Sequence, residues 1–307
     1  MLVAKGIPLL PRSACVFLAD FFGALMSIFD RRGRAVALAN LEIAFGSKMS
    51  ILQKKKIARE SFQHFARTML DLFWSSRLNA QNFSRYIEIS EKEFFELTGI
   101  GPNEPFIMGC YHYSNFEWLS LAGGFTDYPA SIIAQEFKNP LLDPIFKNLR
   151  ERSGHTMVPR EGAVVRLYKA LRRGGRVALL IDLTVPPDVG ACVIDCFGLK
   201  TSVTVAHAWL HKKTGVPIVP AHCEPLPNGR YRVVLHRKID NVQSLTLAQI
   251  AQKCWDEFEP HVRQNPAPWL WMYKHWRYRP RDAASDAYPF YAHVSPRFER
   301  LLREQSR

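Results

Sequence analysis

The sequence lacks several patterns that would assign it to a familiar class. Its six cysteines form no C-x-x-C pair, which argues against a zinc-binding or dithiol redox motif. Cys192 and Cys196 stand as an isolated C-x3-C, and scattered thiols in a chain of 307 residues are typical of a reducing compartment. There is no glycine-rich phosphate loop, and no serine or cysteine stands in a nucleophile elbow. A covalent intermediate on such a residue is therefore not favoured.

Acidic residues are also scarce. The chain has 28 Asp and Glu against 41 Lys and Arg, a net charge of +13. Such an excess favours an anionic partner, either nucleic acid, an acidic membrane surface or an acidic substrate, over a merely soluble basic protein. The basic residues concentrate in two stretches: Arg150, Arg152, Arg160, Arg166, Lys169, Arg172, Arg173 and Arg176 in the first, and Lys274, Arg277, Arg279 and Arg281 in the second.

The hydrophobic run near the N-terminus is short. From Ala14 to Phe29 it is apolar except for Asp20, and it is shorter than the roughly 20 residues of a spanning helix. No small-x-small cleavage pattern follows it. We predict that residues 1–34 form a helix inserted partway into a bilayer, with the arginines that follow the run meeting anionic headgroups on the cytoplasmic side. The alternative is a buried core helix. The arginines are Arg31, Arg32 and Arg34.

The periodicity of the rest predicts one α/β domain over residues 35–307. Residues 35–78 and 245–264 have apolar positions at helical spacing. Between residues 105 and 240, short apolar runs alternate with helical segments. This favours a central, mostly parallel or mixed sheet flanked by helices, with ligands near the carboxyl ends of the strands. The predicted strands are PFIMGCY, ASIIA, RVALLID, PIVPAHC and YRVVLH, and the helices between them cover 141–154, 163–175 and 205–215.

The stretch GCYHYSNFEW, residues 109–118, places polar residues where a predicted strand ends. Ser114 and Glu117 have the spacing of a capping box that begins a helix. The cap does not account for His112. A carboxylate from Glu117 could fix the tautomer of His112, so that the other ring nitrogen accepts a proton from a hydroxyl. Both roles are compatible, because a carboxylate offers several lone pairs.

Two other patterns suggest different functions. His207 and His211 have metal-ligand spacing on a predicted helix, but Ala208 stands where a zinc protease needs glutamate and no third ligand is evident, so we predict no metal site. The aromatic and basic segment 269–280 is compatible with single-stranded nucleic acid. No nucleic-acid fold motif accompanies it.

Several ordered motifs carry a resemblance to a known family. They are NLEIAFG (40–46), the H-x4-E of His112, QEFKNPLLDPIF (135–146), VPREG (158–162), FGLKTSVTVA (197–206) and WLWMYKHWRYRP (269–280). Together they resemble the bacterial lipid A biosynthesis acyltransferases, the lauroyl/myristoyl transferases of the glycerolipid and lysophospholipid acyltransferase superfamily. The resemblance runs from about Asn40 to Pro280.

The resemblance implies roles for individual residues. His112 would be the general base and Glu117 the acid that orients it. Arg160 falls on the family's basic position, and Asp182 on an aspartate after the third strand, although IDLTVPP departs from the usual P-D-x-D/Q. Gly198 and Thr201 would belong to the substrate cleft. The donor to the reaction's oxyanion stays open between Arg160 and backbone N–H groups near Gly198.

The same resemblance implies an activity. A fatty acyl chain would pass from a thioester, on acyl carrier protein or on coenzyme A, directly to a hydroxyl of a phosphorylated glycolipid, a lipid A precursor, without a cofactor or nucleic acid. The expected location is the cytoplasmic face of a bacterial inner membrane. One alternative is transfer to another membrane lipid, such as an ornithine lipid, a phosphatidylinositol mannoside or a lysophospholipid. The other is a non-enzymatic basic protein that binds membrane or nucleic acid.

Overall fold

The helices and strands alternate through most of the chain. The computed structural model describes residues 6–134, 143–188, 190–284 and 286–305. The α-helices are α1 (Arg12–Phe29), α2 (Arg31–Phe45), α3 (Ile51–Trp74), α4 (Glu91–Thr98), α5 (Phe116–Phe125), α6 (Asp143–Glu151), α7 (Ala163–Arg172), α8 (Ala206–Thr214), α9 (Leu247–Gln264) and α10 (Pro296–Gln305). The strands are β1 (Ile87–Glu88), β2 (Ile107–Cys110), β3 (Ser131–Ala134), β4 (Thr156–Pro159), β5 (Val177–Leu180), β6 (Ala191–Cys196), β7 (Leu199–Thr204), β8 (Ile218–Leu226), β9 (Arg230–Leu235), β10 (Tyr278–Arg279) and β11 (His293–Val294).

Seven of the described strands form one mixed sheet in the order β1-β9-β8-β2-β5-β3-β4. Strand β2 lies in the middle and pairs in parallel with both β5 and β8, while β8 and β9 are antiparallel. The α/β class is confirmed, and each strand predicted from the sequence is present. Since β2 and β5 are parallel neighbours, the residues that follow them emerge side by side at the same edge of the sheet.

Alternate residues of β2 face different layers, as the pleat of a strand requires. Ile107 and Tyr111 pack into the larger core, which lies under α7, α8 and α9. Met108 and Cys110 point to the opposite layer, which contains α3 and α5 and holds a cavity. The sheet therefore separates a closely packed layer of helices from a layer that contains the cavity, which we call the hollow layer.

Helix α1 lies along α3 through a stripe of small residues. At Gly23 a Cβ atom would come within 2.4 Å of the Cα of Gln63, so glycine is required for the two helices to approach this closely. Asp20, the polar residue within the apolar run, forms an ion pair with Arg67 of α3. The stripe that α3 covers is Cys15, Ala19, Gly23 and Ser27.

The C-terminal part of the chain wraps over the sheet edge. Strands β6 and β7 form a separate hairpin, which turns at Phe197 and Gly198 with φ of 55° and 84°. The aromatic segment packs against this hairpin: Trp269, Trp271 and Trp276 are all buried, and Phe197 contacts all three rings. In this position the three indoles are not free to stack on nucleotide bases.

Candidate active site

His112 and Asp182 are brought together by the register of two strands. Cys110 at the end of β2 pairs with Leu180 at the end of β5. His112 and Asp182 each lie two residues further along, so the same register places them opposite one another. The sequence contains only part of this signal: both residues follow apolar runs, but the pairing of those runs is seen only in the structure.

The side chains of His112 and Asp182 are within hydrogen-bonding distance of each other. The His112 Nδ1 atom lies 2.8 Å from Asp182 Oδ1, and the backbone N–H of His112 donates to Oδ2 at 3.0 Å. The Asp182 side chain is fully buried, whereas that of His112 is 15% exposed. With Nδ1–H donating to the carboxylate, Nε2 is the ring nitrogen that can accept a proton from a substrate.

The charge of Asp182 is stabilised although the group is buried. Burial by itself would raise the pKa of Asp182, but the charge and hydrogen bond of His112 and the indole N–H of Trp269 outweigh it and lower that pKa. Trp269 Nε1 donates to Asp182 Oδ2 at 2.9 Å. The tryptophan is itself fixed, because its carbonyl accepts from Ser61 at 2.5 Å. One function of segment 269–280 is therefore to hold Asp182 as a carboxylate.

The structure corrects the role predicted for Glu117. The carboxylate at His112 Nδ1 is that of Asp182, while both oxygens of Glu117 accept from Arg150, at 3.0 Å from Nε and 2.5 Å from Nη2. Burial would lower the pKa of Arg150, yet the charge and hydrogen bonds of Glu117 raise it. Arg150 was noted in the sequence only as one of a basic cluster. A bidentate pair of this kind keeps a guanidinium in a fixed orientation.

The predicted capping box is also wrong. Helix α5 begins one residue later, where the side chain of Asn115 accepts from the backbone N–H of Trp118 at 3.0 Å. Ser114 has a φ of 50°, and its carbonyl accepts from Thr68 at 2.8 Å. Asn115 takes the cap because its amide N–H also donates to the buried Asp71 at 2.8 Å. The asparagine side chain reaches both partners, one with its amide oxygen and the other with its amide N–H.

Asp71 ties this turn to the rest of the molecule. It is buried and accepts hydrogen bonds from Asn115, from the Tyr231 hydroxyl at 2.6 Å and from the guanidinium of Arg12. Arg12 in turn lies over the ring of Trp118, with its Cζ 4.7 Å from the centroid. The turn that carries His112 is thus fixed from its far side by a network joining α1, α3, α5 and β9.

We expect Asn115→Ala to lower the free energy of unfolding by about 1.5–5 kcal/mol. The loss of the cap contributes about 0.5–2 kcal/mol, and the loss of one hydrogen bond to the buried, charged Asp71, which keeps those from Arg12 and Tyr231, adds about 1–3 kcal/mol. Ser90→Ala is the matched control, because Ser90 caps α4 from an exposed position and should show only the cap contribution. Equal losses in urea denaturation of the two variants would show that the Asp71 network does not stabilise the turn.

A cavity of about 570 Å³ opens beside His112. Its polar end is formed by His112, Glu117 and Arg150, and its body lies between the sheet and helices α3, α4 and α5. The far end is apolar and aromatic, where the rings of Phe94, Phe106 and Tyr128 pack together. The apolar lining between the two ends includes Met69, Met108, Phe116, Leu119, Ile132, Leu179, Val233 and Leu235.

The remaining candidates from the sequence lie elsewhere. Arg160 is exposed at the end of the edge strand β4, and neither it, Gly198 nor Thr201 is among the described residues that line the cavity. Gly198 forms the hairpin turn. The buried Thr201 hydroxyl donates to the carbonyl of His275. The structure therefore gives these three residues no place in the polar end of the cavity. Residues 135–142 of the motif QEFKNPLLDPIF fall outside the described part of the chain.

The H-x3-H pair is buried in the core. His207 and His211 lie on α8, and Nδ1 of His211 lies 2.8 Å from the carbonyl of Val216. Burial lowers the pKa of His207 to about 4. Among the described residues, the group of side chains with metal-binding geometry is a different one.

The residues of the site lie in a part of the chain that matches a known family. A comparison with curated proteins found no match. The family model of the bacterial lipid A biosynthesis acyltransferases matches residues 1–278, which is most of the chain and includes every residue of the cavity's polar end. The protein therefore belongs to the bacterial lipid A biosynthesis acyltransferase family, as the sequence motifs predicted.

Proposed function

We propose that this acyltransferase uses His112, positioned by Asp182, as the general base that activates the acceptor hydroxyl. The observation that carries the proposal is the His112–Asp182 pair at the mouth of a cavity with apolar walls. With Nδ1 engaged, Nε2 removes the proton as the hydroxyl oxygen attacks the thioester carbonyl. Collapse of the tetrahedral intermediate breaks the carbon–sulfur bond, and the protonated imidazole returns the proton to the leaving thiolate.

Arg150 is our candidate for stabilising the oxyanion. It shares the polar end of the cavity with His112, whereas Arg160 and Gly198 do not line it. Glu117 holds the guanidinium through two hydrogen bonds, and a preoriented charge of this kind stabilises negative charge that develops during the reaction. In this proposal Glu117 orients Arg150 and Asp182 orients His112, so the two acids have separate tasks.

The apolar part of the cavity is suited to the fatty acyl chain. Phe106 and His112 lie on either side of β2, six residues apart, about 20 Å of extended chain. A linear hydrocarbon that enters beside His112 can therefore lie along the hollow layer of the sheet as far as the ring cluster of Phe94, Phe106 and Tyr128. Burial of each methylene there contributes about 0.8 kcal/mol to binding.

The basic surface favours a phosphorylated acceptor and an acidic donor protein. The side chains of Arg166, Lys169 and Arg172 on α7, and of Arg173 directly after it, are exposed. Exposed cations of this density attract lipid phosphates or the acidic surface of acyl carrier protein. We therefore propose a lipid A precursor as acceptor and acyl carrier protein as donor carrier, with acyl-CoA as the other donor.

Helix α1 supports attachment to the membrane surface. By length and composition Arg12–Phe29 could cross a membrane, but one side of the helix packs on α3. Its other side exposes Phe17, Phe21, Phe22, Met26 and Phe29. A helix with one face packed on the protein and one exposed aromatic face is suited to lie in the membrane–water interface rather than to span the bilayer. We propose that residues 1–34 anchor the α/β domain of residues 35–307 to the cytoplasmic face of the inner membrane.

Of the three arginines that follow the apolar run and were expected to meet lipid headgroups, Arg34 has a different role. Arg34 donates to the carbonyls of Ser27 and Ile28 at 2.7 and 2.8 Å, so it caps the end of α1. Arg31 and Arg32 are exposed and remain candidates for headgroup contact.

We expect Phe17→Ser with Phe21→Ser to weaken binding to anionic vesicles. The two rings are 69% and 50% exposed, and burying each in lipid contributes about 1.5–3 kcal/mol, so affinity should fall at least about tenfold per ring. Cosedimentation measures the change, with Phe290→Ser, a 70% exposed ring outside α1, as the control. An equal loss of vesicle binding in Phe290→Ser would contradict the proposal that α1 is the anchor.

Mass spectrometry of the reaction products tests the proposed function. Purified protein is incubated with a lipid A precursor and a fatty acyl thioester of acyl carrier protein or coenzyme A. One additional ester-linked acyl chain on the precursor is the expected result. An unchanged precursor together with acylation of a lysophospholipid or an ornithine lipid would replace the acceptor and retain the chemistry. Acyl transfer to none of these acceptors would contradict the proposal.

A further inference from the structure

Three histidines and a glutamate converge on the packed face of the sheet, opposite the cavity. His222 and Glu224 stand two residues apart on β8, so they point to the same face. His236 follows the adjacent strand β9, and His261 approaches from α9. The His261 ring centroid lies 4.9 Å from that of His222 and 4.8 Å from that of His236. The proposed mechanism does not use this cluster.

The spacing of the donor atoms is that of a metal site. One donor atom from each of His222, Glu224 and His261 lies within 4.8 Å of the other two. Nε2 of His222 and Oε1 of Glu224 are 3.4 Å apart, and zinc bonds of about 2.0–2.2 Å at tetrahedral angles separate ligand atoms by about 3.4 Å. His261 is half-buried, and it would have to move towards the other two ligands to close the remaining distance.

The surroundings provide the support that bound histidines need. Nδ1 of His222 lies 2.9 Å from Nε2 of His236, which leaves Nε2 of His222 for a metal and fixes its ring through the second nitrogen. The Glu224 side chain is 33% exposed, which provides a path for entry and room for a water ligand.

We propose that His222, Glu224 and His261 bind one zinc ion, with His236 supporting His222. Two imidazoles and a carboxylate form a ligand set that zinc uses, with water in the fourth position. The site lies away from the cavity, and the proposed acyl transfer takes no step through it. Its role is to tie α9 to strands β8 and β9. This differs from the absence of a metal site that the H-x3-H motif led us to predict.

The location explains what such a site would stabilise. The ring of Tyr113, the residue after His112, packs edge-on against His222 with centroids 5.0 Å apart. Its hydroxyl donates to the carbonyl of Asn265, directly after α9, at 2.6 Å. A zinc ion that fixes α9 would therefore also fix the strand end that carries His112.

The test is zinc content and thermal stability of the full chain, purified without a polyhistidine tag and dialysed against zinc chloride. We expect one zinc per chain by mass spectrometry of the metal, and a fall in melting temperature on chelation. Glu224→Gln and His261→Ala should each lose the zinc and the response to chelator, while His293→Ala, an exposed histidine outside the cluster, should retain both. Wild-type protein without stoichiometric zinc, or retention of zinc in both ligand variants, would overturn the proposal.

The measurement does not depend on acyl transfer. Zinc binding in a protein that transfers no acyl group would leave this site standing and contradict only the proposed function. Because Glu224 is partly exposed, Glu224→Gln should fold even if a variant of the buried His222 does not. The melting temperature of each variant without zinc confirms that loss of metal is not loss of the fold.

Discussion

Replacement of His112 by alanine should lower the rate of acyl transfer by at least about 10²–10⁴-fold, the usual contribution of a positioned general base. The hydroxyl would then have to lose its proton without a base in contact. Binding of the acyl chain should change little, because the cavity walls remain and His112 forms only its mouth. The effect should therefore appear in kcat far more than in KM.

The same variant must be shown to fold and to bind membranes. His112 is partly exposed, and its removal leaves the core of the sheet intact. His293→Ala is the control for loss of an exposed imidazole. Activity of the alanine variant within about twofold of wild type would exclude His112 as the base.

Replacement of Asp182 by asparagine should have an effect of similar size, about 10²–10⁴-fold in kcat. The amide is nearly the same size as the carboxylate but cannot accept from His112 Nδ1 with a full charge. The ring can then turn or change tautomer, so that Nε2 is no longer the proton acceptor. Asp188→Asn, a partly exposed aspartate of the following loop, is the control. A fully active Asp182→Asn would show that His112 needs no such partner.

The stability of Asp182→Asn should also depend on pH differently from that of the wild type. The pKa of Asp182 is lowered in the folded protein, so its charge stabilises the fold above the ordinary carboxyl pKa near 3.9 and ceases to do so as pH falls through the lower folded value. The difference in melting temperature between wild type and Asp182→Asn should therefore shrink below about pH 4. A difference that grows in acid would contradict the assigned charge.

The sheet could be predicted from the sequence, since short apolar runs bounded by glycine leave few alternatives. His112 could be placed at a strand end for the same reason. Its partner could not, because Glu117, five residues further on across the strand-to-helix turn, was the carboxylate nearest in sequence, whereas strand register brings in Asp182 from seventy residues away. The local pattern places His112 at the strand end, and only the pairing of β2 with β5 brings Asp182 to it.

The cap of α5 and the residues predicted for the substrate cleft also depend on contacts between segments that are distant in sequence. Ser114 and Asn115 are both good cap residues, and the choice between them depends on the buried Asp71 of another helix. Arg150 is one of many arginines in its stretch, and its pairing with Glu117 depends on how α6 packs beside α5. Gly198 and Thr201 matched a motif, yet they serve the hairpin and the aromatic segment.

The central claim is that His112 and Asp182 act as one unit in acyl transfer, and a double-mutant cycle tests it most directly. The rate is measured for wild type, His112→Ala, Asp182→Asn and the double variant with one acceptor and one thioester donor. If Asp182 acts only through His112, the double variant is as slow as His112→Ala, to within about twofold. Losses that multiply, so that the double variant is slower by the full factor of Asp182→Asn, would contradict the pairing.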